Sequence, residues 1–377
     1  MTVSSTQTLI DQARSSTGLD DFGVDGWQVG LEHLLDGVER DLGEHPSAVT
    51  WVEATVVRRL VIRLEIEDWY ARQGPDEPPG VDGPLVILGL PRTATTALHY
   101  LLGVDPQFRF PRMWEMAAPV PPPELADEAA DPRRLAMPDR GGDVRHITSV
   151  DGPVEDVFVH ALHFGSQDLS IPVPTYLEWW RGTDLRGTFA YQEHVLRLLH
   201  SHRPPHRWLL KAPAYLFHVP EMAEHYPGAR FVMTHRDPVA ALPSTCSVVM
   251  QARQGVPGRA QDEAELGAEM LHHFSEGVRA TMAARAHLDP ARFLDVGQAE
   301  VQEDPVGTAA RIYGHFGLEM SEPVEQAMGE WAAANQRGSR GAHVYSAEEY
   351  GLTADRIRET FADYCDAYGR YLVTPTR

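Results

Sequence analysis

A short apolar run, Leu85-Val86-Ile87-Leu88, breaks at Gly89-Leu90-Pro91. It passes through a small hydroxyl-rich stretch with one cation, Arg92-Thr93-Ala94-Thr95-Thr96, into the apolar segment Ala97–Leu102. Strand, tight loop and helix start in that order make a device for holding a phosphate. The first N–H groups of a helix lack partners within it, and the helix dipole adds favourable charge for an anion. The loop differs from that of kinases and ATPases, which places Gly-Lys-Ser/Thr after a four-residue gap and puts the hydroxyl on magnesium. Here Arg92 precedes the threonines and no Gly-Lys pair occurs.

The same alternation continues along the chain. Residues 1 to about 82 read as helical, with Leu31, Leu34 and Leu35 and then Val56, Val57, Leu60, Val61 and Leu64 at helical spacings. The breaker cluster Gln73–Gly80 ends that part. Further strands are expected at 207–210, 230–234 and 293–296. Helices are expected at about 95–102, 155–164, 189–201 and 216–226, from Pro238 onward and between 262 and 287. Residues 118 to 143, rich in Pro, Ala and Asp, read as a surface loop over the site. Strands alternating with helices imply parallel β-α-β units covered on both faces. The expected fold is therefore α/β, a P-loop-like three-layer arrangement with a central parallel sheet and an N-terminal helical cap. Residues 1–82 form the cap and 83–377 the α/β domain, together one structural unit. Ligands in such sheets bind beyond the C-terminal strand ends, where loops 89–96, 211–215 and 234–244 would meet.

Composition narrows the partners. A formal charge of −21 argues against general nucleic-acid binding, which needs basic surface to displace counterions. No apolar run approaches the roughly 18 residues of a membrane span. Only Cys246 and Cys365 occur, so a disulfide framework is not expected and a reducing cytoplasm is. Among 33 basic residues there is one lysine, Lys211, at the end of an expected strand. A chain that otherwise chooses Arg, yet keeps one Lys there, suggests a need for a compact point charge. The alternative is chance under a coding preference for Arg.

Several stretches in order resemble the family of sulfotransferases that use 3′-phosphoadenosine 5′-phosphosulfate (PAPS). They are Gly89-x-Pro91-Arg92-Thr93-x-Thr95-Thr96, Trp114-Glu115 with Pro119 and Pro121-Pro122-Pro123, and Leu210-Lys211-Ala212-Pro213. Thr234-His235-Arg236-Asp237-Pro238 with Ser244, and the stretch from Arg337 to Leu352, complete the series. The likeness is to the bacterial branch with an N-terminal helical extension and spans roughly residues 20 to 370. It implies a transferase moving a sulfuryl group from PAPS to a hydroxyl of a small hydrophobic acceptor, leaving adenosine 3′,5′-bisphosphate. No metal is implied. The same resemblance leaves a homodimer open.

The resemblance also assigns residues. Arg92, Thr93, Ala94, Thr95 and Thr96 would cradle the 5′-phosphosulfate, with Arg92 on the bridging oxygen. The family usually has Gly at the position of Ala94, and an Ala there costs about 1 kcal/mol if φ must be positive. Arg236 and Ser244 resemble the 3′-phosphate clamp, a fork of donors plus a hydroxyl. Asp237 before Pro238 also reads as a helix cap, and the two readings coexist. Arg337 and Arg340 match the segment that closes over the nucleotide, although Arg-Gly pairs are common in solvated loops. Lys211 would stabilise the transferring oxygens. Where family members often carry His, this chain has Tyr215, which weakens a base role for that motif. Glu115, in the Trp-Glu pair where some branches of the family carry the catalytic carboxylate, is the expected base, or else pairs with a cation such as Arg112. His146 is the second candidate.

Eighteen histidines and two cysteines supply no metal-binding spacing. Tyr176, Trp179, Trp180 and Phe158 are expected to line the acceptor pocket, unless they are ordinary core. Two other functions fit parts of the pattern. One is a P-loop-type small-molecule kinase. The other is a catalytically inactive sulfotransferase-like protein that binds nucleotide.

Overall fold

A computed structural model describes residues 3–73, 80–124, 127–137, 149–202, 207–335 and 346–373. At its centre lies a five-stranded sheet of β1 (Leu85–Gly89), β2 (Phe108–Arg109), β3 (Arg207–Lys211), β4 (Arg230–His235) and β5 (Phe293–Gly297). The spatial order is β2-β3-β1-β4-β5 and every pairing is parallel. β1, the most apolar strand, sits in the middle and is buried along its whole length. Continuous burial is what a central parallel strand covered on both faces requires.

The two faces can be read from alternate residues. Leu85 and Ile87 of β1, Leu209 of β3 and Val232 of β4 pack with helix α4 (Thr95–Leu102) and the helices Pro305–Phe316 and Glu322–Ala334. Val86 and Leu88, Leu210, Phe231 and Met233 face the other way. They join a cluster that includes Leu9, Leu31, Leu35, Val49, Val52 and Leu60. These belong to α1 (Thr6–Thr17), α2 (Trp27–Leu42) and α3 (Pro46–Gln73). Side chains alternate across a strand, so one sheet serves two helical layers. Among the described residues no helix is long and apolar enough to cross a membrane.

The expected strands and the helices around them are present, with one addition. β2 is a two-residue edge strand paired through Phe108↔Arg207 and Arg109↔Trp208. Its brevity leaves no period to read in sequence. The segment 262–287 forms a single helix, Glu263–Arg285, rather than several. The sheet puts the ends of β1, β3, β4 and β5 along one edge. At that edge Gly89 lies opposite Thr234 with φ 144°, and a Cβ on it would come within 2.5 Å of the Thr234 carbonyl oxygen. Only glycine fits the last residue of β1.

Candidate active site

The chain leaves β1 through Leu90–Ala94 and enters α4, whose first intrahelical acceptor is the Ala94 carbonyl. Two residues of this loop have left-handed backbone, Arg92 at φ 67° and Ala94 at φ 73°. Neither is glycine, so the loop stores about 1–2 kcal/mol of strain at each. The turn is held from below by Thr93. Its hydroxyl donates to the Leu90 carbonyl at 2.6 Å and shares a 2.6 Å bond with the Thr234 hydroxyl. The Thr93 side chain is buried and engaged there, so it fixes the loop to β4 rather than reaching outward.

Above the loop lies an open crevice of about 340 Å³. Arg92, Ala94, Thr95, Thr96, Ala97 and Arg236 line one end. The two expected clamp residues meet through Arg92, with Arg236 lining the crevice and Ser244 buried behind it. Arg92 Nε donates to Ser244 Oγ at 3.0 Å, and an Arg236 guanidinium nitrogen donates to the Arg92 carbonyl at 3.0 Å. Arg236 follows β4, while Ser244 lies in the helix Pro238–Arg253. Asp237 caps that helix by accepting the Val239 N–H at 2.9 Å, so capping and cation placement do coexist. Gln298 and Gln302, just past β5, also line the crevice. Gln298 was not legible as a site residue, although its place after a strand is the signal that finds it.

The second cationic position is Lys211 at the end of β3. Its Nζ is 2.8 Å from Glu155 Oε1 and 3.4 Å from Thr96 Oγ1. Lys211 is buried, whereas Glu155 is partly exposed and lines the crevice. The next residue, Asp156, accepts the Lys211 backbone N–H at 3.0 Å and the Gln192 amide at 2.6 Å. Gln192 also bonds the hydroxyls of Tyr215 (2.9 Å) and Tyr226 (3.1 Å). Tyr215 is therefore part of a buried polar network behind the lysine. Burial pushes the Asp156 carboxyl up to about 7. Sequence reasoning passed over Glu155 and Asp156, though the chain's one lysine implied a carboxylate beside it.

Glu115 lies elsewhere. It is fully buried at the N-terminus of the short helix Met113–Ala117 and does not line the crevice. It accepts from the Arg112 guanidinium at 2.7 Å, from the Arg112 N–H at 3.0 Å and from Arg109 at 3.2 Å. Burial pushes its carboxyl up, but Arg109 and Arg112 outweigh this and hold it below the usual carboxylate range. The pairing with Arg112 is the reading the structure holds, and it corrects the expectation of a base. A carboxylate with its oxygens engaged by two arginines and no contact with the crevice has no hydroxyl to deprotonate. His146, Arg337 and Arg340 lie outside the described residues.

The aromatic cluster is also core. Tyr176 donates to the Phe164 carbonyl at 2.6 Å, Trp180 to the Gly165 carbonyl at 2.8 Å, and Trp179 stacks on His33 of α2. None of them lines the crevice: the helix Pro174–Gly182 turns Tyr176 and Trp179 onto α2, and Trp180 packs on Phe217, His218 and His273. Phe158 is exposed on the helix after Glu155. The crevice wall beyond Lys211 is built instead from Leu169, Ser170, Pro213, Thr245, Val248, Val249 and Ala252.

Known proteins share this plan. The profile of the sulfotransferase family matches residues 84–322, more than half of the chain. An omega-hydroxy-beta-dihydromenaquinone-9 sulfotransferase, Stf3, of Mycobacterium bovis is 27% identical over 318 residues, covering 78% of this chain and 77% of its own. The crystal structure of sulfotransferase STF9 from Mycobacterium avium matches with a TM-score of 0.87 at 28% identity, covering 100% of this chain and 99% of that one. Sulfotransferase STF1 from Mycobacterium tuberculosis matches at 0.83 and 29% identity, covering 96% and 99%. With the family profile matched over more than half of its length, the chain belongs to the sulfotransferase family.

Proposed function

We propose that the protein transfers the sulfuryl group of PAPS to a hydroxyl of a small, apolar acceptor. Residues 83–377 would form the transferase unit, with residues 1–82 packed on it as a cap. The observation that supports this is a crevice lined by Arg92, Thr95, Thr96 and Glu155 and by an apolar wall, with the buried Lys211 ammonium directly behind Glu155.

The N-terminal N–H groups of α4, with Thr95, Thr96 and Arg92, suit a 5′-phosphosulfate, because each places a donor or positive charge where the anion would rest. Arg236 with Ser244 suits the 3′-phosphate. Sulfuryl transfer, like phosphoryl transfer, asks a protein mainly to position the partners and neutralise charge. Lys211 would carry the charge on the transferring oxygens. Glu155 would take the proton of the acceptor hydroxyl while that oxygen bonds to sulfur. The bond from sulfur to the 5′-phosphate oxygen breaks, and adenosine 3′,5′-bisphosphate leaves. A wall of Leu169, Val248, Val249 and Ala252, without an aromatic ring, suits an aliphatic alcohol better than a phenol. The relative Stf3 is named for an omega-hydroxylated menaquinone.

Thermal unfolding with adenosine 3′,5′-bisphosphate against ATP-magnesium tests the donor. A larger rise with the bisphosphate is expected, since preferential binding to the native state raises the melting point. An equal or larger rise with ATP-magnesium would favour a kinase. A rise with the bisphosphate but no sulfuryl transfer to any alcohol would favour an inactive binding protein.

A further inference from the structure

The apolar wall of the crevice contains an irregular segment. Leu169 and Ser170 lie between the helices Val157–Leu162 and Pro174–Gly182, outside any helix or strand. Backbone without a ladder needs partners from elsewhere, and here they are the Asp168 carboxylate, itself held by Arg59, and the Arg253 guanidinium. Asp168 Oδ1 accepts the Ser170 hydroxyl at 2.5 Å and the Ser170 N–H at 3.2 Å. Asp168 Oδ2 accepts from Arg59 of α3 at 2.6 Å. On the other side the Leu169 carbonyl accepts Arg253 Nε at 2.9 Å. Arg253 is buried and forks onto Glu269 at 2.7 and 2.8 Å. It directly follows Ala252, which lines the crevice opposite.

The Asp168 carboxylate does not line the crevice. With Arg59 it lines a small void behind the wall, among Leu34, Phe164, Ile171 and Tyr176. Its influence on a bound molecule therefore runs through the position of Leu169 and Ser170. Hydrophobic pockets discriminate by shape, and one methylene there is worth about 1–3 kcal/mol. Whatever fixes the wall fixes that discrimination.

We propose that Arg59 of the N-terminal layer and Asp168 are positioning residues for acceptor selection. Their ion pair holds Leu169 and Ser170 at the distance from Val249 and Ala252 that sets which alcohols enter. The N-terminal layer thereby becomes part of the specificity apparatus. The inference rests on the sulfotransferase reading of the crevice.

The test uses the full chain saturated with adenosine 3′,5′-bisphosphate, and three linear alcohols as probes: hexanol, decanol and tetradecanol. Calorimetry gives the affinity for each with the wild type, Asp168→Asn, Arg59→Ala and the milder Arg59→Lys. The ratio between the best and worst alcohol is expected to fall by about tenfold in Asp168→Asn and Arg59→Ala, and Arg59→Lys to recover part of it. Affinity for the bisphosphate should stay within about twofold, which also verifies that the variants fold. An unchanged ranking in both variants overturns the proposal. So does a parallel loss for every alcohol and the nucleotide, which would mark a purely structural ion pair. So does a wild type that binds the bisphosphate but no alcohol. Failure of the bisphosphate to bind the wild type is a different result and strikes the sulfotransferase reading itself.

Discussion

Lys211 Nζ stands 2.8 Å from Glu155 Oε1, with the lysine buried and the carboxylate reaching the crevice. The pair places an ammonium and a carboxylate at one point beside Thr96 at the start of α4. Sulfuryl transfer to a hydroxyl requires both there, since charge on the transferring oxygens and release of the proton are handled together.

Glu155→Gln keeps the shape of the side chain and removes the acceptor of the proton. Turnover is expected to fall by about 10²–10⁴-fold, the range for loss of a general base. Affinity for adenosine 3′,5′-bisphosphate should hold. Single-turnover sulfuryl transfer with isothermal titration of the product nucleotide checks both, and near-normal turnover would remove Glu155 from the chemistry.

Arg236→Ala addresses the other end of the crevice. A hydrogen bond to a charged group is worth about 1.5–3 kcal/mol, so adenosine 3′,5′-bisphosphate should bind roughly 10- to 100-fold more weakly. Binding of 5′-AMP, which lacks the 3′-phosphate, should change little. Equal losses for the two nucleotides would place Arg236 on some shared part of the ligand.

The sequence made the sheet and the cradle readable because both are local. Four apolar residues before a breaker, then hydroxyls before a helix, state strand, loop and helix within twenty residues. The placing of Arg236 after a strand and Ser244 in the helix that follows was readable for the same reason. The carboxylates were harder. Glu115 stands in a recognisable Trp-Glu pair, yet Arg109 and Arg112 surround it only because β2 and the helix after it bring them there. Glu155 meets Lys211 across 56 residues of chain, a separation that carries no local period. The aromatic residues Tyr176 and Trp180 were ambiguous for another reason. Their burial in core or pocket depends on which neighbours the helix faces, and α2 takes Tyr176 while Phe217 and His273 take Trp180.

Ala94→Gly should stabilise the fold. Ala94 holds φ 73° where the left-handed region costs an L-residue about 1–2 kcal/mol. Glycine relieves that but adds freedom to the unfolded chain, which offsets about 0.4–1 kcal/mol. A net gain of about 0.5–1 kcal/mol in urea unfolding is expected. A loss of stability would mean that the Ala94 methyl packs more favourably than its backbone is strained.

Glu115→Gln should destabilise without touching the chemistry. Removing one partner of a buried ion pair typically costs about 3–5 kcal/mol, because the arginines are left uncompensated. The folded carboxyl titrates below its unfolded value of about 4.3, so its contribution is present above that pH. It is lost as pH falls through the lower folded value. The variant should therefore lose stability at neutral pH and show a shallower acid transition. Nucleotide affinity per folded molecule should match the wild type, and a selective loss of turnover would return Glu115 to the list of bases.

Asp156→Asn should change the pH dependence of stability in the opposite sense. Burial pushes the folded carboxyl up to about 7, while an unfolded aspartate titrates near 3.9. Glu155 pushes in the same direction, and the Lys211 charge and backbone N–H push back. Between about pH 4 and 7 the native state holds a proton that the unfolded chain has released, so native stability declines as pH rises through that window. Asparagine has no such proton and still offers an oxygen to the Lys211 N–H, though the amide nitrogen in place of Oδ2 cannot accept the Gln192 N–H. Urea unfolding at a series of pH values should show the stability of the wild type relative to the variant falling from pH 4 to 7, a difference that isolates Asp156 from buried histidines such as His160 and His163, whose contribution rises over the same range. Parallel curves would mean that Asp156 stays ionised throughout, held by the Lys211 N–H and the Gln192 amide strongly enough to overcome its burial.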